Sequence, residues 1–586
     1  MAYSQQVSIE EDLPSERSEK RSASITPELD IYDVIIVGAG ISGLYAARCF
    51  KEEGLNVLIL EATERVGGRI LSYKDTRYGM VDLGGARVGR LQSKVLSLVR
   101  ELGLELYRHP SNGKDVFFHK DKRLRHTPDS SPVSNPLVTM DITHCLRSID
   151  KMCKQVPIET PWTCPKAEEW DHQTVLQFLQ KICWFEQSRV FLEAQFSAIL
   201  CSKLEEISFL HFLHTVRSWG GCGSILSQNN NVQEMNVKGG AAQLCDRLAE
   251  KLNEIILLNT SVTGIHQGHQ GVVVKTASEK EYKCQRVVFA TSPTVLRHIS
   301  FTPVLPDDIQ TVVDSRIQAK GLKSILFYDK PFWRQQGCTG RIVTEEGLIS
   351  MSMDSSGAEE GTYALSGMVD AVAYGGLTRE DRKLQLAGHL SSIVESPEMR
   401  LCSGYMEKDW AGFESLQFYG CPYFLLPPGV ITKTKRLWGT PHQRIHFAGT
   451  DAALGFRGCI EGALRAGESV TREVIAAMKL PEKRCYETDS GHISFGKKSA
   501  RQILLPSVPQ FLGLLAFFVL LLIILIIIIA ILSSKGNGQE DTPSIVSANL
   551  VTSSPQDTTS IILSTLMDDL TNLTTAVPLN MTTDTV

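Results

Sequence analysis

A short apolar run rich in β-branched residues, Asp33–Val37 (DVIIV), leads straight into GAGISG. Such a run reads as a buried parallel strand. The stretch LYAARCFKEEG that follows is helical in pattern and closes at Gly54, and a second strand, NVLILE, ends on Glu61. The unit is strand, glycine turn, helix, strand, acid. Gly38 permits the tight turn, Gly40 lets backbone approach a pyrophosphate, and Gly43 lets helix and strand pack closely. The helix N-terminus, with Ile41 and Ser42, attracts phosphate, and Glu61 is placed to accept from a ribose diol. An acid there favours an unphosphorylated adenosine ribose, so FAD or NAD rather than NADP. A lone glycine triplet is a weak signal, but the complete unit predicts dinucleotide binding.

The opposite end of the chain is as decisive. Phe511–Leu532 reads FLGLLAFFVLLLIILIIIIAIL without a polar residue. A helix crossing a ~30 Å hydrocarbon core needs ~20 such residues. A buried helix of a soluble protein would carry a polar face, and this run has none. Lys497, Lys498 and Arg501 precede it, and only Lys535 follows closely. The bias of positive charge puts the large N-terminal part in the cytosol. Residues 1–32 form a polar arm with no apolar core of secretory-signal length, and Glu10, Glu11 and Asp12 weaken a transit-peptide reading. Residues 479–510 are a linker. Residues 533–586 form an acidic Ser/Thr-rich tail expected to be disordered, whose sequons at Asn572 and Asn580 would matter only in a lumen.

With 586 residues, the chain should hold more than one domain. A formal charge of −5 argues against nucleic acid as a partner. The 14 cysteines are scattered without a CxxC pair, which favours free thiols in a reducing compartment over a metal site. His211 and His214 are three apart in FLHFLH, but without a third ligand they read as packing or surface histidines, and no metal is expected.

After Glu61 and Ala62 comes ERVGGRI, with Arg65, Gly68 and Arg69, and VDLGGARVG (81–89) brings Gly85, Ala86 and Arg87. Together these resemble the FAD-binding signature of the flavin amine oxidase superfamily. The likeness continues through 149–184, SWGGCGSIL (218–226), VKGGAAQL (237–244), VVFATSP (287–293), GLKSILFYDKPFWR (321–334), LPPGVIT (426–432) and HFAGTDAALGFRGCIEGALRAGESV (446–470). These segments are similar to the animal monoamine oxidases from about Asp33 to about Met478. The resemblance implies an α/β fold in which a GxGxxG-type FAD-binding domain (33–112, 236–300 and 411–478) is interleaved with an α+β substrate domain (113–235 and 301–410), followed by the C-terminal transmembrane helix. It also implies oxidation of an amine by FAD and oxygen, with a homodimer as a further possibility.

The resemblance assigns roles residue by residue. Gly38 to Gly43, Glu61, Ala62, Arg65, Gly68, Arg69, Gly85, Ala86, Arg87, Val262, Gly449, Thr450, Cys459 and Ile460 would line the cofactor. Lys323 would act near the flavin N5 with Trp410 beside it. The alternative for Lys323 is a surface lysine, although GLKSILFY has the pattern of a buried strand, where a lysine pKa falls. Cys421 stands where these oxidases tether the flavin through sulfur, yet Pro422 follows it and restricts the backbone. Unattached, it would be a small buried thiol. A helix starting near Gly458 would aim its N-terminus, with Asp451 and Glu461 nearby, at the flavin.

The substrate positions depart from the family. Pro422 and Cys459 replace the two tyrosines that frame the amine. A third tyrosine is replaced by Arg87, in a segment resembling that of L-amino-acid oxidases, where arginine holds the substrate carboxylate. Arg87 could equally be solvated, or bond the flavin or a backbone carbonyl. Ile182, Ile225, Leu226 and Gln233 either line the substrate entrance or pack in the core. Three functions follow as expectations: a membrane-anchored amine oxidase, an L-amino-acid oxidase, or a flavin-loaded scaffold without turnover. The family favours the mitochondrial outer membrane, while the very apolar anchor and long acidic tail would also suit the endoplasmic reticulum.

Overall fold

The computed structural model describes residues 31–108, 112–226, 234–315, 317–318, 321–345, 347–358, 361–369, 376–410, 423–479 and 508–535. Cys421, Pro422 and Gln233, residues 1–30 of the N-terminal arm, most of the linker and tail residues 536–586 lie outside them; Tyr32, expected in the arm, already belongs to the first strand.

The opening unit folds as its residue types dictate. Tyr32–Val37 is strand β1, Ile41–Glu52 helix α1 and Val57–Leu60 strand β2. β1 and β2 pair in parallel, Val34 opposite Val57. Gly38 adopts φ +105°, a region closed to ordinary side chains, and this turns the chain from strand into helix. At Gly43 a Cβ would lie 2.1 Å from the Gly38 carbonyl oxygen, so only glycine lets α1 sit this close to the turn.

An eight-stranded sheet carries this unit, assembled from distant stretches of chain. Strand β3 (Glu281–Phe289) pairs in parallel with β1 on one side and with Ile445–Phe447 on the other. A second, seven-stranded sheet is built from 114–126, 322–369 and 404–409. Its strand β4 (Leu322–Tyr328) lies antiparallel between Tyr363–Val369 and Gly404–Asp409. A three-stranded sheet of Arg87–Val88, Met235–Val237 and Leu106–Arg108 completes the pattern around the cavity described below.

Helix α2 (Pro136–Cys153) begins with Asn135 accepting from the Leu137 N–H, and α3 (Val175–Ile182) begins with a capping box between Thr174 and Gln177. Both bury apolar faces in the largest core cluster, with Val138, Ile142, Val175 and Leu179. Helix α4 (Ile460–Ala477) packs along α1, and a Cβ at Gly467 would stand 2.7 Å from the Ser42 carbonyl oxygen. The described residues from Ile31 to Lys479 belong to one compact unit. In the helix Val508–Lys535, the stretch Val508–Leu532, 25 residues, is long and apolar enough to cross a membrane, and it is the one such helix among the described residues.

Candidate active site

Both large sheets and the N-termini of α1 and α4 face one cavity of about 370 Å³. Its lining includes Gly38, Gly40, Ile41, Ser42 and Glu61 from the opening unit, and Lys323, Trp410, Tyr423 and Cys459 from later segments. Gly40 is the N-cap of α1 and contributes no side chain, and a Cβ on it would meet nothing within 4 Å. Its bare backbone opens the first-turn N–H groups of α1 to an anion. Cys459 is the N-cap of α4, also without a side-chain cap bond, so a second helix start borders the cavity.

Three contacts fix the residues around the glycine turn. The Gly449 N–H donates to Ser42 Oγ at 2.9 Å, joining the closing segment to α1. Arg69 pairs with the buried Asp451 at 2.8 Å, which holds its guanidinium on the cavity wall. Glu61 accepts from the Ala39 N–H (2.7 Å) on one oxygen and from the Thr63 N–H and hydroxyl (3.0 and 2.8 Å) on the other. A carboxylate has about four acceptor positions, so a locked Glu61 can still accept from a ribose diol. The bare glycine cradle, two helix starts, an arginine and a fixed acid fit a dinucleotide that carries a flavin.

Lys323 Nζ donates to the carbonyl oxygens of Asp82 (2.7 Å) and Gly84 (2.8 Å). Trp410 Nε1 donates to the carbonyl of Leu83 between them (2.9 Å). The two side chains hold Asp82–Gly84 as one rigid step along the cavity. The surface Lys323 keeps belongs to the cavity rather than to bulk water. Burial lowers its pKa from 10.5 to about 8, the Asp82 charge opposing the fall and Arg87 adding to it.

Arg87 borders the cavity and donates through Nη2 to the Asp354 carbonyl at 2.8 Å and to Ser355 Oγ at 3.4 Å. Of the roles open to it from sequence, a backbone-carbonyl contact is thus present. Burial lowers its pKa, with Asp354, Tyr107 and Asp82 opposing.

The cavity is also lined by Gly68, Gly85, Ala86, Thr450 and Ile460. Other expected positions stand elsewhere. Arg65 donates to the carbonyls of Val66, Gly68 and Ile70 (3.0, 2.6 and 3.1 Å), bracing the glycine turn that presents Arg69. Ala62 is half-buried beside Glu61, and Val262 is buried in the strand Val262–Gly268. Gly43 acts through helix packing. None of these four is among the cavity's lining residues. Ile182 and Leu226 pack against the large core cluster, because the apolar faces of their helices turn inward. Ile225 lines a smaller cavity of about 20 Å³ that shares Ile199, Trp219, Tyr423 and Gly458 with the first. His211 and His214 are buried, and burial with the Arg457 charge drives His211 down to about 3 and keeps His214 neutral. No group of three or more metal-ligating side chains occurs among the described residues.

Sequence reasoning missed Tyr423. Its ring borders the cavity beside Cys459 and lies over Gly458, whose φ of +82° suits glycine. A Cβ there would be 2.6 Å from the ring. An aromatic face therefore stands one residue past Pro422, and the only sequence signal was the tyrosine in CPYF. Met351 and Met353, which strand alternation turns to the same side, also line the cavity.

The family model described as flavin-containing amine oxidoreductase matches residues 41–475. The chain is 33% identical over 499 residues to the flavin-containing amine oxidase B of Sus scrofa, covering 83% of this chain and 96% of that protein. It is 33% identical over 502 residues to the flavin-containing amine oxidase A of Canis lupus familiaris, covering 83% and 94%. Among solved structures, wild-type putrescine oxidase bound to putrescine matches at TM-score 0.72 and 26% identity, covering 76% of this chain and 99% of that one. The cyclohexylamine oxidase of Brevibacterium oxydans IH-35A matches at 0.72 and 26%, covering 77% and 100%.

Proposed function

The chain belongs to the family of flavin-containing amine oxidoreductases, and on that premise we propose that it oxidises primary arylalkyl or alkyl amines to aldehyde, ammonia and hydrogen peroxide. It is an oxidoreductase and its cofactor is FAD. Bound there, the flavin supplies the acceptor for a hydride equivalent from the carbon bearing nitrogen and passes the electrons to oxygen. The remaining work falls to this chain. The N-terminus of α1, with Arg69, would hold the phosphates, and that of α4 would face the flavin ring. Glu61 orients the ribose. Lys323, held by two carbonyls and with a pKa near the working range, can give or take a proton at Nζ. Tyr423 presents an aromatic face toward the amine, and Met351 and Met353 help exclude water.

The observation that carries the proposal is Lys323 anchored on the Asp82–Gly84 step within the same cavity as the glycine cradle. Arg87 favours a second reading, an L-amino-acid oxidase, because its guanidinium borders that cavity. We place the FAD-binding and substrate domains as the sequence segments divide them. We also place the helix Val508–Leu532 in the mitochondrial outer membrane with the catalytic part in the cytosol.

The full chain, purified in detergent with FAD, would be assayed for peroxide release. Tyramine, phenethylamine and serotonin would be set against tyrosine, phenylalanine and tryptophan. Turnover of amines alone supports the proposal. Turnover of amino acids alone, abolished in Arg87→Ala, replaces it with the second reading. Silence from both with flavin bound refutes both.

A further inference from the structure

Cys145 sits in the middle of α2 and is fully buried, and Cys183 follows α3 at the edge of the same core, half-buried. Their Sγ atoms are 3.5 Å apart. The approach is built rather than incidental. Asp141, one turn before Cys145 and wholly buried, accepts the backbone N–H groups of both Trp184 and Phe185 at 3.0 Å. One side chain of α2 thus grips the two residues directly after Cys183 and holds its sulfur over Cys145. A disulfide bond is ~2.05 Å long, so closure asks for about 1.5 Å of movement, within reach of side-chain rotation.

We propose that Cys145 and Cys183 form a reversible disulfide, made by hydrogen peroxide. The source of the peroxide rests on the function proposed above, while the capacity of the pair does not. The sulfur of Cys183 attacks one peroxide oxygen and the O–O bond breaks. Cys183 becomes a sulfenic acid, and the departing hydroxide leaves with the thiol proton as water. The Cys145 sulfur then displaces the hydroxyl, the S–S bond forms and a second water leaves. The two thiols lose two electrons and the peroxide gains them. A thiol such as glutathione reverses the reaction by exchange. Contact with Cys183, and then burial, raise the pKa of Cys145, which assigns the attack on peroxide to the more accessible Cys183. The exposed Trp184 beside it marks the route from solvent. The cross-link would fasten α2 to the entry of the helix Glu186–Leu200, whose far end carries Ala198 and Ile199 on the cavity wall.

The test uses the full chain in detergent: aliquots with and without peroxide are denatured, their free thiols are blocked with iodoacetamide, and their peptides are mapped by mass spectrometry. Added hydrogen peroxide should link the Cys145 and Cys183 peptides in most molecules, and glutathione should release them. The link should persist in Cys402→Ser and be absent from both Cys183→Ser and Cys145→Ala. Retention of iodoacetamide on both cysteines after peroxide, or oxidation of Cys183 to sulfinic acid without a link, overturns the proposal. A second arm replaces peroxide by phenethylamine, with and without catalase. A link with added peroxide but none with amine refutes the oxidase function for this substrate and leaves the disulfide standing.

Discussion

Replacing Lys323 by methionine keeps a long side chain and removes its charge. In the folded protein the ammonium titrates at about 8 rather than 10.5 because it is buried. Holding it charged at pH 7 therefore costs about 3 kcal/mol, at 1.36 kcal/mol per tenfold change. The sign follows from proton counting. Between pH 8 and 10.5 the unfolded chain binds more protons at this site than the folded one, so this lysine makes stability rise with pH across that window. Methionine removes the charging cost but leaves the Asp82 and Gly84 carbonyls without their donor, at about 1–3 kcal/mol each. Near pH 7 these changes roughly offset each other. By pH 10 most of the wild-type cost has gone, so the wild type should gain about 2 kcal/mol over Lys323→Met between pH 7 and 10. Urea unfolding of the flavin-free proteins at a series of pH values measures this difference, since every other titrating group is common to both. Parallel curves for the two proteins would refute the claim that Lys323 is held against its charge.

Gly43→Ala should lose the flavin absorbance at 450 nm altogether, because a Cβ would lie 2.1 Å from the Gly38 carbonyl oxygen and force α1 away from the turn; an absorbance spectrum of the purified variant decides it. Arg69→Gln should weaken FAD at least tenfold, about 1.4 kcal/mol, since it also leaves the buried Asp451 without its partner; titration of flavin fluorescence measures the loss. Tyr423→Ala should raise KM for phenethylamine while the protein keeps its flavin, and an unchanged KM would remove the tyrosine from the substrate wall. For Cys421→Ser, flavin that stays with the acid-precipitated wild type should be released into the supernatant.

The opening of the fold was legible because its signals are local. The strand from Asp33, the glycines at 38, 40 and 43 and the acid at 61 lie within one short stretch, and each has a physical role in the turn itself. Lys323 was legible for a related reason: a lysine inside an apolar strand pattern must find partners, and here they are the carbonyls of Asp82 and Gly84. Other residues depend on distances along the chain that no local pattern reports. Arg65 lies in the same motif as Arg69, yet one folds back on three carbonyls of its own loop while the other reaches Asp451. Ile182, Ile225 and Leu226 are apolar residues whose spacing fits a cavity wall and a core equally well, and helix packing decides between them. Tyr423 reaches the cavity because Gly458 leaves room for its ring, a match between positions in separate segments.

The nucleotide cradle draws on both ends of the catalytic unit, with β1 at its start and Ile445–Phe447 and α4 at its finish. A ribosome emitting this chain therefore cannot deliver a finished flavin pocket until α4 has left the exit tunnel. At ~5–20 residues per second, the stretch from Ala477 to Val508 takes only a few seconds to make. The last element of the flavin cradle and the long apolar helix therefore become available within the same few seconds of synthesis.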